Sequence, residues 1–207
     1  FLQLKPTGEK IGSFQSGWVF GFGYFVGAIN WILEPFLIDA ARHAWMAPFA
    51  LAFMAGGLAV FWGIGAKIGQ LLGNETYSLA FGLGIVELVR GYIFTGFPWA
   101  LVGYVWLDTP VAQIASLVGV YGLTISTFFL ASMFVEICVR RGVFLATVMG
   151  CILIAACWSW GTYRVKDLKA LETAKVVRLV QPNAPQEEKW HPEHSLKFFN
   201  RMLEYSA

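Results

Sequence analysis

Long apolar runs, separated by short polar or Gly- and Pro-containing breaks, fill most of this chain. A helix that spans a bilayer needs about 20 mostly apolar residues, and five segments meet or approach that length. They are Ser16–Ile38, Ala44–Ile68, Tyr77–Phe94, Val111–Cys138 and Val143–Tyr163. Glycine recurs throughout these segments, which suits the close approach of helices in a membrane. The pattern therefore predicts a polytopic α-helical membrane bundle of about five helices over residues 1–163.

Composition also indicates that lipid surrounds much of this chain. Of the 207 residues, 57% are hydrophobic and only 14% are charged, whereas a soluble domain carries about 25% charged residues. The net charge of +2 is too small to indicate a nucleic-acid partner. These values favour lipid as the main partner of the first 163 residues.

The basic residues that flank the predicted spans set the expected orientation. Most of them fall on one side if the spans alternate: Lys5, Lys10, Lys67, Arg140 and Arg141. Because basic residues in short loops favour the cytoplasmic side, the N-terminus is predicted to be cytoplasmic. Five spans then place the residues after Tyr163 in the periplasm of a bacterium, with the bundle in the inner membrane.

The pattern changes abruptly after Tyr163. Residues 164–174 are polar and are interpreted as a linker, and Lys175–Val180 is a β-branched run that predicts a strand. Apolar residues recur at helical spacing in His194–Tyr205, which predicts a helix. A single strand and helix cannot bury a sheet face, so residues 175–207 are expected to begin an α/β domain that continues further. The apolar start at Phe1, without Met, likewise predicts that the chain belongs to a longer protein.

Two ionisable residues lie near the end of the third predicted span. Glu87 and Arg90 are spaced i, i+3, so their side chains share a helix face and can pair. Charged residues at membrane depth are costly and usually face the bundle interior or a watery cavity. Two roles remain open from the sequence: a pair that fixes the helix end, or a site for a polar lipid headgroup.

A Gly-Phe-Pro-Trp break follows this pair within one or two helical turns. Backbone that is not helical is tolerated at membrane depth only against protein or a cavity. Gly96–Trp99, which includes Phe97, therefore predicts a short irregular or re-entrant segment on the outer face. The alternative is an ordinary interfacial loop with Trp99 as its membrane anchor.

Other candidate groups do not assemble into a site. Cys138, Cys151 and Cys157 lie in apolar runs without paired spacing and are interpreted as packing residues. The segment His191–His194 offers imidazoles, but no third ligand cluster accompanies it, so no metal site is predicted. No Ser-His-Asp or Cys-His arrangement is evident, and no cofactor is predicted. Trp190, a large aromatic residue in a polar loop, is interpreted as an interaction residue.

Three blocks, in this order, resemble apolipoprotein N-acyltransferase of the bacterial inner membrane. They are Gly17–Trp31 (GWVFGFGYFVGAINW), Glu87–Tyr104 (ELVRGYIFTGFPWALVGY) and Val177–Trp190 (VRLVQPNAPQEEKW). The second block is the most specific, and the third marks the start of the family's nitrilase-like domain. The resemblance implies a membrane bundle followed by the first strand and helix of an α-β-β-α sandwich. It also implies that Trp190 matches a tryptophan near the family's active-site entrance.

Membership would imply a two-step acyl transfer. A phospholipid donates an acyl chain to a catalytic cysteine, and the thioester then acylates the α-amine of a lipoprotein's diacylglyceryl-cysteine. The family's Glu-Lys-Cys triad is expected beyond Ala207, so this chain alone is expected to be inactive. The residues then expected to contact substrate are Glu87, Arg90, Phe97, Trp99 and Trp190. Alternatives are a small polytopic transporter or scaffold, and a nitrilase-type amidase with a membrane anchor.

Overall fold

The computed structural model describes residues 12–73, 76–167, 178–185, 188–189 and 192–206. Helices dominate this part of the chain, and none of its residues forms a strand. The α-helices are α1 (Ser13–Ala28), α2 (Glu34–Leu37), α3 (Ala40–His43), α4 (Ala47–Leu72), α5 (Thr76–Arg90), α6 (Ala115–Arg141), α7 (Val143–Asp167) and α8 (Pro192–Ser206). The predicted helical membrane bundle is therefore confirmed in outline.

Three helical segments within the described residues are long and apolar enough to cross a bilayer. They are Ala40–Leu72, Pro110–Arg141 and Val143–Lys166. A fourth results if α1 and Asn30–Leu37 form one span, although they are bent by 64°. The first predicted span is thus broken, because Ile29 leaves helical geometry and a new short helix begins at Glu34, with Pro35 in its first turn.

Helix α5 is shorter than the third predicted span, Tyr77–Phe94. Its 15 residues cover about 22 Å at 1.5 Å per residue, against a hydrocarbon core of about 30 Å. Beyond Arg90 the chain turns through a 3₁₀ segment, Ile93–Thr95, and then loses regular structure until Val102. The irregular backbone therefore begins where a straight spanning helix would have continued.

The core lies where α1, α4 and α5 meet. Its buried residues include Phe25, Ile29 and Trp62. The Trp62 indole stacks on the Tyr24 ring with centroids 4.8 Å apart. Glycines allow this close packing, since a Cβ atom on Gly17 would lie 2.5 Å from the Trp62 carbonyl oxygen.

The later helices are less buried. One residue, Gly142 with φ +93°, separates α6 from α7, and a second non-helical glycine, Gly119, breaks α6 near its start. Only 6% of the most apolar stretch of α7 is buried inside the protein.

The C-terminal helix predicted over His194–Tyr205 is confirmed, since α8 runs from Pro192 to Ser206. Arg201 in α8 donates a 2.8 Å hydrogen bond to the Pro182 carbonyl. Of the strand predicted over Lys175–Val180, residues 175–177 lie outside the described residues and 178–180 are irregular. The strand is therefore not seen, and the nitrilase-like domain stays a prediction.

Candidate functional site

Glu87 and Arg90 form a bidentate ion pair inside the bundle. Arg90 Nη2 donates to Glu87 Oε2 at 2.6 Å, and Arg90 Nε donates to Glu87 Oε1 at 3.2 Å. Both side chains are only 1% exposed. The predicted pairing is present, and both charges are held in the protein interior and away from lipid, which is where such groups usually lie.

Trp62 of α4 is a third member of this group. Its Nε1 donates a 2.7 Å hydrogen bond to Glu87 Oε1, and its side chain is 2% exposed. Sequence reasoning missed Trp62 because it lies 25 residues from Glu87, on another helix. One sequence feature could have indicated its burial: Trp62 recurs at helical spacing with Gly65 and Gly69. These glycines mark a face of α4 that packs closely on a neighbouring helix.

Arg90 also holds the irregular segment that follows α5. Its Nη1 donates to the Phe97 carbonyl at 2.7 Å and to the Trp99 carbonyl at 2.9 Å. The guanidinium also lies over the Phe25 ring, 5.3 Å from its centroid. The Arg90 side chain thus links the Glu87 carboxylate to the backbone of Gly96–Ala100. We call Gly96–Ala100 the rim loop.

The remaining carbonyls of this stretch are held as well. Tyr104 Oη donates to the Pro98 carbonyl at 3.2 Å, and Tyr24 Oη donates to the Ala100 carbonyl at 3.1 Å. Four successive carbonyls, from residues 97 to 100, therefore accept hydrogen bonds from side chains. This satisfies backbone that has no helical partner, as an apolar surrounding requires.

Backbone strain accompanies this arrangement. Thr95, directly before the loop, has φ of +77°, and the first and last residues of the loop, Gly96 and Ala100, have φ of +85° and +57°. A positive φ costs a non-glycine residue about 1–3 kcal/mol and persists only where the surroundings enforce it. The side-chain bonds to the loop carbonyls supply that enforcement, so the rim loop is a preorganised element.

The two aromatic residues of the rim loop face different surroundings. Phe97 packs partly against the core, with its ring 6.0 Å from the Arg90 guanidinium. Trp99 is 59% exposed. Trp190, the other aromatic residue expected to contact substrate, lies outside the described residues.

The cysteines and the C-terminal imidazole lie elsewhere. Cys138 is in α6, and Cys151 and Cys157 are in α7. His194 lies 3.9 Å from Glu188, while His191 lies outside the described residues. Within the described ranges, no group of three or more His, Cys, Asp or Glu side chains is arranged to hold a metal ion.

Residues 1–133 match the family model for the apolipoprotein N-acyltransferase N-terminal domain. The chain belongs to the apolipoprotein N-acyltransferase family. This match includes α1, α4, α5, the rim loop and most of α6. The elements that build the Glu87–Arg90 site therefore all lie inside the part that defines membership.

Curated relatives agree with the family match. An apolipoprotein N-acyltransferase of Rhizobium rhizogenes is 36% identical over 187 residues, which is 86% of this chain and 35% of that protein. Those of Caulobacter vibrioides and Brucella suis are 36% and 32% identical, over 94% and 96% of this chain. The chain spans only 35–39% of the length of these relatives. No solved structure gives a significant match. The relatives' names do not favour a transporter or a scaffold.

The hydroxyl of Tyr24 gives a direct test of the rim loop's attachment. Tyr24→Phe should lower the free energy of unfolding by about 1 kcal/mol, because it removes the donor to the Ala100 carbonyl and keeps the ring. Protease cleavage within the loop should also accelerate. Tyr77→Phe is the matched control, since the Tyr77 ring stacks on Phe129 far from the loop. Equal thermal unfolding and cleavage in both variants would contradict the assignment.

Proposed function

We propose that the complete natural protein is an apolipoprotein N-acyltransferase of the bacterial inner membrane. It transfers an acyl chain from a phospholipid, through a cysteine thioester, to the α-amine of a lipoprotein's N-terminal diacylglyceryl-cysteine. The observation that carries this proposal is the family match over residues 1–133. This chain supplies the membrane region that receives the lipid substrates, with the C-terminal part in the periplasm.

Within this function, the rim loop forms the threshold, that is, the edge of the site at which lipid substrates enter from the bilayer. Trp99 presents an exposed indole to the lipid, and Phe97 lines the inner side of the threshold. A fixed loop suits this role, because a preorganised contact surface loses little conformational entropy when a ligand binds.

Glu87 and Arg90 act in the proposal as positioning residues. Every nitrogen of the Arg90 side chain and both oxygens of Glu87 already have partners within the protein. The sequence left two roles open for this pair: fixing the helix end, or binding a polar lipid headgroup. Because its polar atoms already have partners, we favour the first role. The pair then contributes to substrate binding by holding Phe97 and Trp99.

None of the chain's three cysteines is assigned as the nucleophile. All three lie in α6 and α7, which are apolar enough to cross the membrane. A nucleophilic thiol needs a nearby base and a stabiliser of the oxyanion. We therefore propose that the Glu-Lys-Cys triad belongs to the nitrilase-like domain that begins after the linker.

The test is an acyl-transfer assay on the complete natural protein reconstituted with labelled phospholipid and a diacylglyceryl-cysteine peptide. Labelled acyl chain should appear on the peptide's α-amine, and an acyl-thioester protein should accumulate when the peptide is omitted. If neither species forms in a preparation that remains folded, the proposed function is wrong.

The role expected for Trp190 is tested in the same assay. Trp190→Ala should lower acyl transfer by about tenfold, a loss typical of an aromatic contact residue, without changing thermal unfolding of the membrane region. Trp158→Ala is the control, because Trp158 is a partly exposed indole of α7. Wild-type transfer rates in Trp190→Ala would contradict the placement of this residue at the substrate entrance.

A further inference from the structure

Two exposed indoles meet beside the rim loop. Trp31 lies on the 3₁₀ turn Asn30–Leu33 directly after α1, and Trp99 lies on the rim loop. Their ring centroids are 6.3 Å apart and the planes are inclined by 64°, which is a favourable edge-to-face geometry. Each residue nevertheless keeps about half of its surface exposed, 51% for Trp31 and 59% for Trp99.

Both indoles are carried by fixed backbone. The Trp99 carbonyl accepts a hydrogen bond from Arg90, and the Trp31 carbonyl accepts one from the Glu34 amide. Ile29, two residues before Trp31, is fully buried in the core. The pair is therefore held from both sides, by the end of α1 and by the rim loop.

The polar ends of the two rings are also available. In the part of the chain that the structure describes, neither the Trp31 nor the Trp99 indole N–H has a hydrogen-bond acceptor. The more buried Trp18, Trp62 and Trp106 each donate within the protein. Two donors beside two exposed aromatic faces fit a ligand in which hydrogen-bond acceptors adjoin apolar chains. The glycerol-ester region of a diacylated lipid has this chemistry, and indoles favour that depth of the membrane.

We propose that Trp31 and Trp99 form one site for the glycerol-ester region of a diacylated lipid, which adds Trp31 to the substrate-contact residues. The inference rests on the proposed function only for what happens to the lipid after it binds. Binding of the lipid at the two indoles does not depend on that function. Two lipids share the required chemistry: the phospholipid acyl donor and the diacylglyceryl-cysteine acceptor. Trp45 is a matched reference, because it is 68% exposed and forms a similar edge-to-face pair with Phe49, 6.4 Å away.

The experiment is photo-crosslinking of the complete natural protein in vesicles. The two probes, used separately, are a phosphatidylethanolamine and a diacylglyceryl-cysteine peptide, each with a diazirine beside the glycerol esters. Labelling of the peptides that contain residues 31 and 99 should fall about fivefold in Trp31→Ala, the size expected for loss of one aromatic contact. Trp45→Ala should label as the wild type does. The probe whose labelling falls identifies the lipid that occupies the site.

The double variant Trp31→Ala, Trp99→Ala separates a shared site from two independent contacts. If the two indoles form a shared site, either substitution alone already disrupts the pair. Labelling of the double variant should then be only slightly lower than that of the single variant with the lower labelling. Unchanged labelling in Trp31→Ala, equal loss in Trp45→Ala, or independent multiplicative losses would each overturn the proposal. Intact labelling of the wild type without any acyl transfer would instead overturn the proposed function and leave the lipid site standing.

Discussion

Arg90→Met is expected to destabilise the membrane region by about 3–5 kcal/mol, the usual cost of removing one partner from a buried ion pair. The substitution leaves the Glu87 carboxylate unpaired at 1% exposure. It also removes Arg90 Nη1, which donates the hydrogen bonds to both the Phe97 and the Trp99 carbonyl. Thermal unfolding in detergent should show the loss of stability, and limited proteolysis should show faster cleavage in the rim loop.

The control for this result is Arg140→Met. Arg140 pairs with Glu136 on the surface of α6, with side chains 73% and 25% exposed. Loss of such an exposed pair should cost at most about 1 kcal/mol. Adding Glu87→Gln to Arg90→Met should restore part of the stability, because it removes the unpaired charge, but should leave the loop sensitive to protease. Equal effects of Arg90→Met and Arg140→Met would show that the buried pair does not hold the loop.

Gly82→Ala is expected to separate α5 from α4. A Cβ atom at Gly82 would collide with the Gly65 carbonyl and lie 2.8 Å from the Gly69 amide nitrogen. Both are backbone atoms, so no side-chain rotation relieves the contact. The free energy of unfolding should fall by about 1–3 kcal/mol or more. Since the same helix carries Glu87, protease sensitivity of the rim loop should also rise.

Gly23→Ala and Gly57→Ala give the matched comparison. Each is a helical glycine whose added Cβ would meet nothing within 4 Å. Alanine in such positions should stabilise the helix by about 0.5–1 kcal/mol. The predicted effects therefore differ in sign, and a loss of stability in all three variants would show that the close contact of Gly82 is not the cause.

Local spacing predicted the parts of the site that lie within one stretch of chain. The i, i+3 spacing of Glu87 and Arg90 predicted their pairing, and Gly96 and Pro98 marked where regular structure ends. The apolar periodicity around Phe199 predicted α8. Each of these features depends on residues a few positions apart, so no knowledge of the packing was needed.

Features that depend on two distant segments were not predictable in this way. The bond between Trp62 and Glu87 and that between Tyr24 and Ala100 depend on how α1, α4 and α5 cross. The bend after α1 also escaped the hydropathy pattern, because the apolar run Ser16–Ile38 continues past Ile29 and its isolated polar residues, Asn30 and Glu34, do not indicate a change of axis. Hydrophobicity alone indicates that a segment is buried in lipid or protein, but not where its axis changes direction.

If the proposed function holds, the attachment of the rim loop has a consequence for the rate of lipid exchange. The carbonyls of the loop are held by Arg90, Tyr24 and Tyr104, so any change in the loop's position has to break these hydrogen bonds. In the proposed function, lipids that approach a loop held in this way meet the same surface before, during and after binding. We then expect the rate of lipid exchange at the rim loop to follow lateral diffusion in the bilayer, and therefore the viscosity of the surrounding membrane.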